Sequence, residues 1–142
     1  MRPPRDRAAP PDGMRVNIQD VTYSLKSLMW RQMGIERAGQ EIEDAVAKIR
    51  LWSHAVGELG APEPATWELM NMLTVSHLSS LGALVRTESR GVHFRSDCPA
   101  PDPTWRAHTR CLPAFEDGRI TGVRVERAPL RSEVPAIGLS PA

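Results

Sequence analysis

The chain has 142 residues, of which 41% are hydrophobic and 25% are charged, so it is long enough for one globular domain and short for two. Its net charge of +1 gives no reason to expect a polyanionic partner, and this disfavours nucleic-acid binding. No apolar run in the sequence is long enough to cross a bilayer, and the polar N-terminus does not resemble a secretory signal, so we expect a cytoplasmic protein without a membrane span.

The two ends of the chain are expected to lie outside the fold. Residues 1–16 are rich in proline and arginine and offer almost nothing to bury, which predicts a disordered leader or linker. Residues 132–142 are expected to form a flexible tail. The sequence therefore predicts one domain over residues 17–131.

The first predicted helix lies near Ile18–Met33. Apolar residues recur there at steps of three and four, which is the spacing of one helix face. Asn17 is a suitable N-cap, and Gly34 is expected to end the helix.

The second predicted helix, Ala38–Glu58, has the most regular pattern. Its apolar positions alternate steps of four and three in a heptad-like seam, and charged residues occupy the opposite side. The seam consists of Ala38, Ile42, Ala45, Ile49, Trp52 and Val56, and the solvent side of Glu41, Glu43, Asp44, Lys48 and Arg50. Glycines and the Pro62/Pro64 pair are expected to turn the chain after it.

The third predicted helix, Thr66–Arg86, is apolar around most of its circumference. Such a helix is buried on more than one side, so it should be central and should leave a face for a further partner. His77 on this helix is expected to be a hydrogen-bonded core residue rather than a metal ligand, because no second ligand type stands at a helical spacing from it. The fold class is thus mainly α, an up-down-up three-helix bundle resembling a spectrin repeat, followed by a short β-hairpin.

The segment after the third helix, Glu88–Pro99, carries the densest group of ionisable side chains. Gly91 supplies the freedom for positive φ that a turn off the helix end would need. We name as candidate loop or docking residues Glu88, Arg90, Gly91, His93, Arg95 and Asp97. No nucleophile with a positioned base and no metal-ligand spacing accompanies them, so no catalytic, cofactor-binding or metal residue is assigned.

Several roles for these arginines remain open at this stage. Arg86 and Arg90 are placed to cap the last carbonyls of the third helix. Arg90 and Arg95 could bind a carboxylate ligand in bidentate fashion, but local pairing with Glu88 and Asp97 is favoured because acids are available nearby. In a mixed arrangement, Arg90 is expected to be internal, whereas His93 and Arg95 are expected to face a partner. An exposed apolar patch larger than a few hundred Å² is expected near the loop, where oligomerisation could cover it.

The remaining residues predict a short turn at Thr104-Trp105-Arg106 and then a hairpin. Asp117-Gly118 is a turn signal between strands near Thr109–Phe115 and Arg119–Arg127. A proline at position 113 makes the first strand an edge or irregular strand, and two strands alone need a surface to pack against. The two cysteines, at positions 98 and 111, are expected to be small, partly buried thiols in a reducing compartment.

Several motifs together resemble a known flavoprotein domain. Glu-Ser-Arg-Gly-x-His-x-Arg-x-Asp-x-Pro at positions 88–99, Leu28-Met29-Trp30 with Gly34-Ile35, Trp67-Glu68-Leu69-x-Asn71-Met72-Leu73 and Trp105-x-x-His108-Thr109 carry the likeness. It covers about Ile18 to Arg127. The chain resembles the C-terminal helical domain of the family that comprises L-aspartate oxidase and the succinate dehydrogenase and fumarate reductase flavoprotein subunits.

Arg95-Ser96-Asp97-x-Pro99 looks more like the L-aspartate oxidase form, although Val92 and Cys98 depart from the family pattern. The resemblance implies a parent enzyme that uses FAD to oxidise L-aspartate to iminoaspartate for NAD biosynthesis. It places the cofactor and substrate sites in preceding flavin and capping domains, against which this chain would pack as a scaffold. The chain itself shows no glycine-rich dinucleotide motif, so we expect it to hold no cofactor and to lack catalytic activity alone. The alternatives are a freestanding helical interaction module or the equivalent domain of a succinate dehydrogenase or fumarate reductase flavoprotein subunit.

Overall fold

The computed structural model describes residues 16–59, 63–117 and 119–130 of the chain. The predicted leader and tail therefore lie almost wholly outside the described residues. Val16, which was expected to belong to the leader, instead packs against the hydrophobic core.

Three helices form the body of the domain, as predicted: α1 (Ile18–Gln32), α2 (Gly39–Glu58) and α3 (Pro64–Val85). The Asn17 side chain caps α1, since its Oδ1 accepts hydrogen bonds from the backbone N–H groups of Gln19 and Asp20. The early residues of α1 line a surface groove with the early residues of α3, and the late residues of both line another. The two helices thus run in the same direction, and α2, which joins the end of one to the start of the other, runs opposite.

The core lies between the three helices. The predicted seam of α2 supplies much of it, because Ile42, Ala45, Ile49 and Val56 are buried, whereas the charged residues predicted on its solvent side are exposed. Leu25 and Leu28 of α1 and Leu69 and Leu73 of α3 are the other buried apolar residues of the three described helices. The heptad-like interpretation of α2 is confirmed.

The third helix differs from its prediction at both ends, and its last residue is Val85 rather than Arg86. It begins two residues before the predicted start, because Pro64 occupies its first turn, where a proline forfeits no hydrogen bond. It is apolar but not wholly buried: Trp67 is 63% exposed and Val75 is 64% exposed. The expectation that this helix leaves a face uncovered is therefore confirmed.

The structure contains a small parallel sheet that the sequence did not predict. Strand β1 (Glu36–Arg37), between α1 and α2, pairs with β2 (Phe94–Arg95) in the charged loop, so that Glu36 aligns with Phe94 and Arg37 with Arg95. Two-residue strands carry no periodicity, and their partners lie 58 positions apart in the chain. This pairing brings the loop to the start of α2.

The predicted hairpin is present and longer than expected. After a short 3₁₀ turn at Pro103–Trp105, β3 (Ala107–Glu116) pairs antiparallel with β4 (Arg119–Pro129). The register shifts between Ala114 and Phe115, next to the proline expected to make this strand irregular. The hairpin lies against α3, where the Cys111 thiol is 3.7 Å from the Leu78 carbonyl oxygen.

Candidate functional site

Glu88 is the centre of the charged loop. Its side chain is fully buried, and its carboxylate accepts hydrogen bonds from the guanidinium groups of Arg86 and Arg90 at 2.7–3.2 Å and from the backbone N–H of Asp102 at 2.8 Å. The bonds from Arg90, with those from Asp102 and Arg86, outweigh the burial and lower the pKa of Glu88 to about 2. The predicted pairing of Arg90 with Glu88 is confirmed.

Arg86 is the C-cap residue of α3, but neither its side chain nor that of Arg90 donates to a carbonyl of the helix among the described residues, so the predicted side-chain capping is wrong. Besides binding Glu88, Arg86 donates to the carbonyls of Trp105 and Ala107, and Arg90 donates to that of Asp102. Both arginines therefore bind the loop to the start of the hairpin. The reason is that the chain leaves the helix in an extended conformation at Arg86, which directs these side chains away from the last turn.

Arg95 performs the capping instead. It is only 4% exposed, and its Nη1 lies 2.9 Å from the Leu84 carbonyl oxygen and 3.4 Å from that of Ala83. Its Nε and Nη2 bind the two oxygens of Asp97, which confirms the second predicted pair. The expectation that Arg95 faces a partner while Arg90 is internal is wrong, since the Arg90 side chain is 41% exposed. The β1–β2 pairing fixes the backbone of Arg95 inside the domain.

Asp97 extends this arrangement to α2. Its Oδ2 accepts a hydrogen bond of 3.1 Å from the backbone N–H of Gly39, the first residue of α2, which has no cap from its own N-cap residue, Ala38. The bonds from Arg95 are the main cause that lowers the pKa of Asp97 to about 2. One Arg95–Asp97 pair thus binds the end of α3 and the start of α2 together.

His93 is half-buried, and both ring nitrogens have hydrogen-bond partners. Nε2 lies 3.1 Å from the carbonyl oxygen of Arg86, and Nδ1 lies 3.1 Å from Nη1 of Arg37. Because the carbonyl can only accept and the guanidinium can only donate, the ring is neutral with its proton on Nε2. Burial, with the charges of Arg37, Arg86 and Arg95, lowers the pKa of His93. Its expected exposure toward a partner is therefore only partial.

Gly91 occupies a tight turn, although not at the helix end. Arg90 and His93 exchange backbone hydrogen bonds across Gly91 and Val92, and Gly91 has a φ of +59° at the first central position. Glycine is favoured there in turns of type II′. The prediction of a positive-φ turn at Gly91 is therefore confirmed. The turn does not end the helix, because α3 already ends at Val85.

Two further predictions concern single polar residues. His77 lies on α3 as expected, but its buried Nε2 has no hydrogen-bond partner among the described residues, so the expected hydrogen-bonded core histidine is not fully satisfied. Burial and then the charge of Arg50 lower the pKa of His77. The thiols of Cys98 and Cys111 are free and half-buried, as predicted.

An open groove of about 490 Å³ adjoins the charged loop where α1, α3 and the hairpin meet. Its basic lining residues are Arg37, Arg86, Arg90 and His93, and its apolar ones include Met29, Met33 and Val92; we call it the arginine groove. No local pattern in the sequence indicates Arg37, because its place there depends on the unpredicted β1–β2 pairing. Exposed apolar side chains are present in the loop, at Val92, and just before β1, at Ile35. The expected apolar patch of more than a few hundred Å² near the loop stays a prediction.

The described parts of the chain, residues 16–59, 63–117 and 119–130, contain no group of three His, Cys, Asp or Glu side chains arranged to hold a metal ion. Within the same residues, no helix has both the length and the apolar character that a bilayer span requires. Inside the charged loop, the acids and arginines bind one another and the backbone. The geometry is that of a structural junction which leaves a basic groove at its surface.

Comparison with known proteins assigns the domain. A family model described as the C-terminal region of the fumarate reductase flavoprotein matches residues 22–137. The chain belongs to this family and is a C-terminal domain of the succinate dehydrogenase and fumarate reductase flavoprotein type. The resemblance stated from the sequence motifs is confirmed.

Individual relatives include both kinds of enzyme. A CoM/CoB fumarate reductase subunit from Methanothermobacter marburgensis is 33% identical over 61% of this chain, and the L-aspartate oxidase of Streptomyces coelicolor is 31% identical over 74%. The L-aspartate oxidase of Rhodospirillum rubrum is 38% identical over 63%. The chain spans 17%, 18% and 29% of the lengths of these three relatives.

A solved structure has the same fold. A chain of the Mycobacterium smegmatis Sdh1 complex in the apo form superposes with a TM-score of 0.67 at 26% identity. The match covers 86% of this chain and 23% of that one. The domain therefore corresponds to a minor part of a much longer relative.

Proposed function

We propose that this chain is the C-terminal scaffolding domain of an L-aspartate oxidase-like flavoprotein. In such a parent enzyme, FAD oxidises L-aspartate to iminoaspartate for NAD biosynthesis, and the cofactor lies in a flavin domain outside this chain. The Arg95-Ser96-Asp97-x-Pro99 form of the loop supports this choice. The L-aspartate oxidases of Streptomyces coelicolor and Rhodospirillum rubrum among the relatives support it as well.

The observation that carries the scaffolding role is the internal engagement of the charged loop. Glu88 is bound by two arginines and a backbone N–H, Arg95 by Asp97 and helix carbonyls, and both nitrogens of His93 have partners. A general base must be within reach of a substrate proton and keep a lone pair available for it. The groups of this loop instead hold α2, α3 and the hairpin together.

Two alternatives remain. The Methanothermobacter relative and the Mycobacterium structure favour the equivalent domain of a fumarate reductase or succinate dehydrogenase flavoprotein subunit. A freestanding helical interaction module would keep the family sequence without an enzyme. The neighbouring coding sequence distinguishes this module from the other two, because a flavin domain encoded directly upstream supports an enzyme and an unrelated neighbour supports the module.

A pair of hybrid enzymes tests the choice between the two flavoproteins. One hybrid joins this whole chain to the part of the Streptomyces coelicolor L-aspartate oxidase that precedes its matching segment, and the other joins it to the corresponding part of the Methanothermobacter protein. We expect the first to retain FAD and to oxidise L-aspartate, because the docking surfaces match. Flavin retention by the second hybrid alone would shift the assignment to the fumarate reductase type.

The isolated chain supplies the matching control. We expect it to be colourless after purification and to leave L-aspartate unchanged when FAD is added, since the glycine-rich motif that seats a dinucleotide is not in its sequence. Stoichiometric flavin binding by this chain would contradict the scaffolding role. A cytoplasmic location also remains a proposal, consistent with the free thiols of Cys98 and Cys111.

A further inference from the structure

The arginine groove has an excess of positive charge. Arg37, Arg86 and Arg90 line it together with the neutral His93, and no acidic residue is among its lining residues in the part of the chain that the structure describes. Glu88, which pairs with Arg86 and Arg90, lies fully buried behind them, and the charge of Asp102 acts on Arg90. Three guanidinium groups against two carboxylates leave the groove positive.

Two of these arginines also have unused hydrogen-bonding capacity. Arg37 donates through Nε to the Met33 carbonyl oxygen and through Nη1 to His93, and no described residue accepts a hydrogen bond from its Nη2. Arg90 uses Nε and Nη2, and its Nη1 likewise has no acceptor among the described residues. A guanidinium group can bind a carboxylate through two parallel N–H bonds, so an incoming acid has donors to meet.

Apart from Ser79 and Thr109, the rest of the lining is apolar or glycine. Met29 and Met33 of α1 lie on one side and Val92, which is 93% exposed, lies on the loop. A second surface pocket, which shares Met29 and Met33 with the groove, contains Trp30, itself 80% exposed. Methionine side chains adapt their shape to a partner, and large exposed apolar residues mark contact surfaces.

We propose that the arginine groove receives an aspartate or glutamate side chain, flanked by apolar residues, from the flavin domain of the parent enzyme. The proposal rests on the proposed function, because the chain spans 17–29% of the relatives named above and the domain that would present this carboxylate lies in the remainder. Charge complementarity selects an acidic side chain, and the methionines and Val92 accommodate its apolar neighbours.

A second copy of this chain fits the groove less well. A two-fold symmetric contact whose axis passes through the groove would bring Arg37 and Arg90 of one copy toward those of the other. Like charges at such an interface oppose association. An acidic segment from a different domain has no such repulsion.

An NMR titration of the whole chain tests the proposal without the parent enzyme. The probe is the capped tripeptide leucyl-aspartyl-leucine amide, and its counterpart with asparagine at the centre is the matched control. We expect saturable shifts of the Arg37 Nε–H and His93 ring resonances with the aspartate peptide, and no saturable shift with the asparagine peptide. Arg37→Gln should raise the dissociation constant by about tenfold or more, because a charge-assisted bond is lost.

Arg50→Gln is the matched variant, since Arg50 is an exposed arginine on α2 outside the groove, and it should leave binding unchanged. Equal binding of both peptides, or no binding of either, overturns the proposal. Equal peptide-induced shifts at Arg50 and Arg37 would also overturn the proposal, because they would indicate unspecific ion pairing at the surface. Shifts of the groove resonances on dilution of the chain without peptide would overturn it as well, because they would indicate self-association. The peptide result is independent of the hybrid enzymes, so failure of the hybrids with selective aspartate binding would refute the proposed function and leave the carboxylate site standing.

Discussion

At the scale of single residues, two acid–arginine arrangements with different exposure join the loop to the hairpin and to the helices. Arg95 is buried against the α3 carbonyls, whereas Arg90 reaches Glu88 from the surface. We therefore expect these two arginines of one loop to contribute unequally to the stability of the domain. Substitutions at these positions separate the two roles.

Arg95→Ala should destabilise the isolated domain much more than Arg90→Ala. The first leaves helix-end carbonyls and Asp97 without their donor, at about 1.5–3 kcal/mol for each charge-assisted hydrogen bond, so the loss should reach at least about 3 kcal/mol. After the second, Glu88 keeps Arg86 and the Asp102 N–H. Urea unfolding of both variants measures the difference, and Arg95→Lys tests whether charge without the planar fork suffices. A larger loss for Arg90→Ala would contradict the assignment.

Acid should unfold the domain through Glu88 and Asp97. Their pKa values lie at about 2 in the folded chain, below the ordinary values of 4.5 and 3.8, so the folded state binds fewer protons than the unfolded state. The stability they contribute is complete above pH 4.5 and is lost as the pH falls toward 2. Urea midpoints measured across this range should fall for the natural chain and change less for Glu88→Gln. A constant midpoint would show that neither carboxylate is paired as described.

The pairings of Arg90 with Glu88 and of Arg95 with Asp97 could be predicted because the partners are two positions apart in the sequence. The burial of Arg95 could not be predicted from the sequence. It depends on a strand pairing between segments 58 positions apart, and such a contact leaves no periodic signal. Arg37 was missed for the same reason.

At the scale of secondary-structure elements, the loop acts on α2 through one close contact. A side chain at Gly39 would place its Cβ 2.5 Å from Arg95 Nη2 and 2.8 Å from Asp97 Oδ2, whereas nothing lies within 4 Å of a Cβ at Gly57 of the same helix. Gly39→Ala should therefore destabilise the domain despite alanine's helix propensity, and Gly57→Ala should stabilise it by up to about 1 kcal/mol. Thermal unfolding of the pair gives the comparison. Two stabilising substitutions would mean that the Arg95–Asp97 pair does not close over the start of α2.

The seam of α2 provides a second comparison. Ile49 is completely buried and its neighbour Lys48 is exposed. Ile49→Ala should lower the free energy of unfolding by about 2–5 kcal/mol, because a cavity adds to the lost transfer energy. Lys48→Ala should change it little. Similar small losses for both in a denaturant titration would show that the core face of the helix is wrongly assigned.

The first two helices were predictable because their apolar residues repeat with the helical period over fifteen or more residues, and the third because its apolar stretch is too long for a strand. The boundary at Pro64 was not, since proline serves equally to turn a chain and to begin a helix. The hairpin was predicted from the Asp117-Gly118 turn signal, which does not define how far the two strands extend. Local signals thus give the elements, and tertiary contacts decide where they end.

At the scale of the whole molecule, the domain combines an internally bonded loop with a surface that has no cover among the described residues. Trp30, Trp67 and Val75 are each more than 60% exposed on α1 and α3, and the arginine groove lies at the late end of both helices. A core between the helices, together with exposed apolar side chains and a basic groove at the surface, suits a domain docked onto a larger protein. The sequence predicted an uncovered face of α3 but not the groove, which is built from distant segments.

The most direct test of the scaffolding role is the turnover of His93→Gln in the Streptomyces hybrid enzyme, measured per bound flavin across a range of pH. His93 is chosen because it is the residue of the charged loop whose side chain ordinarily titrates near neutral pH. If the loop is structural, the substitution lowers the melting temperature, and turnover per flavin and its pH profile stay unchanged. A fall in turnover at unchanged stability, with loss of an ionisation from the profile, would contradict the account.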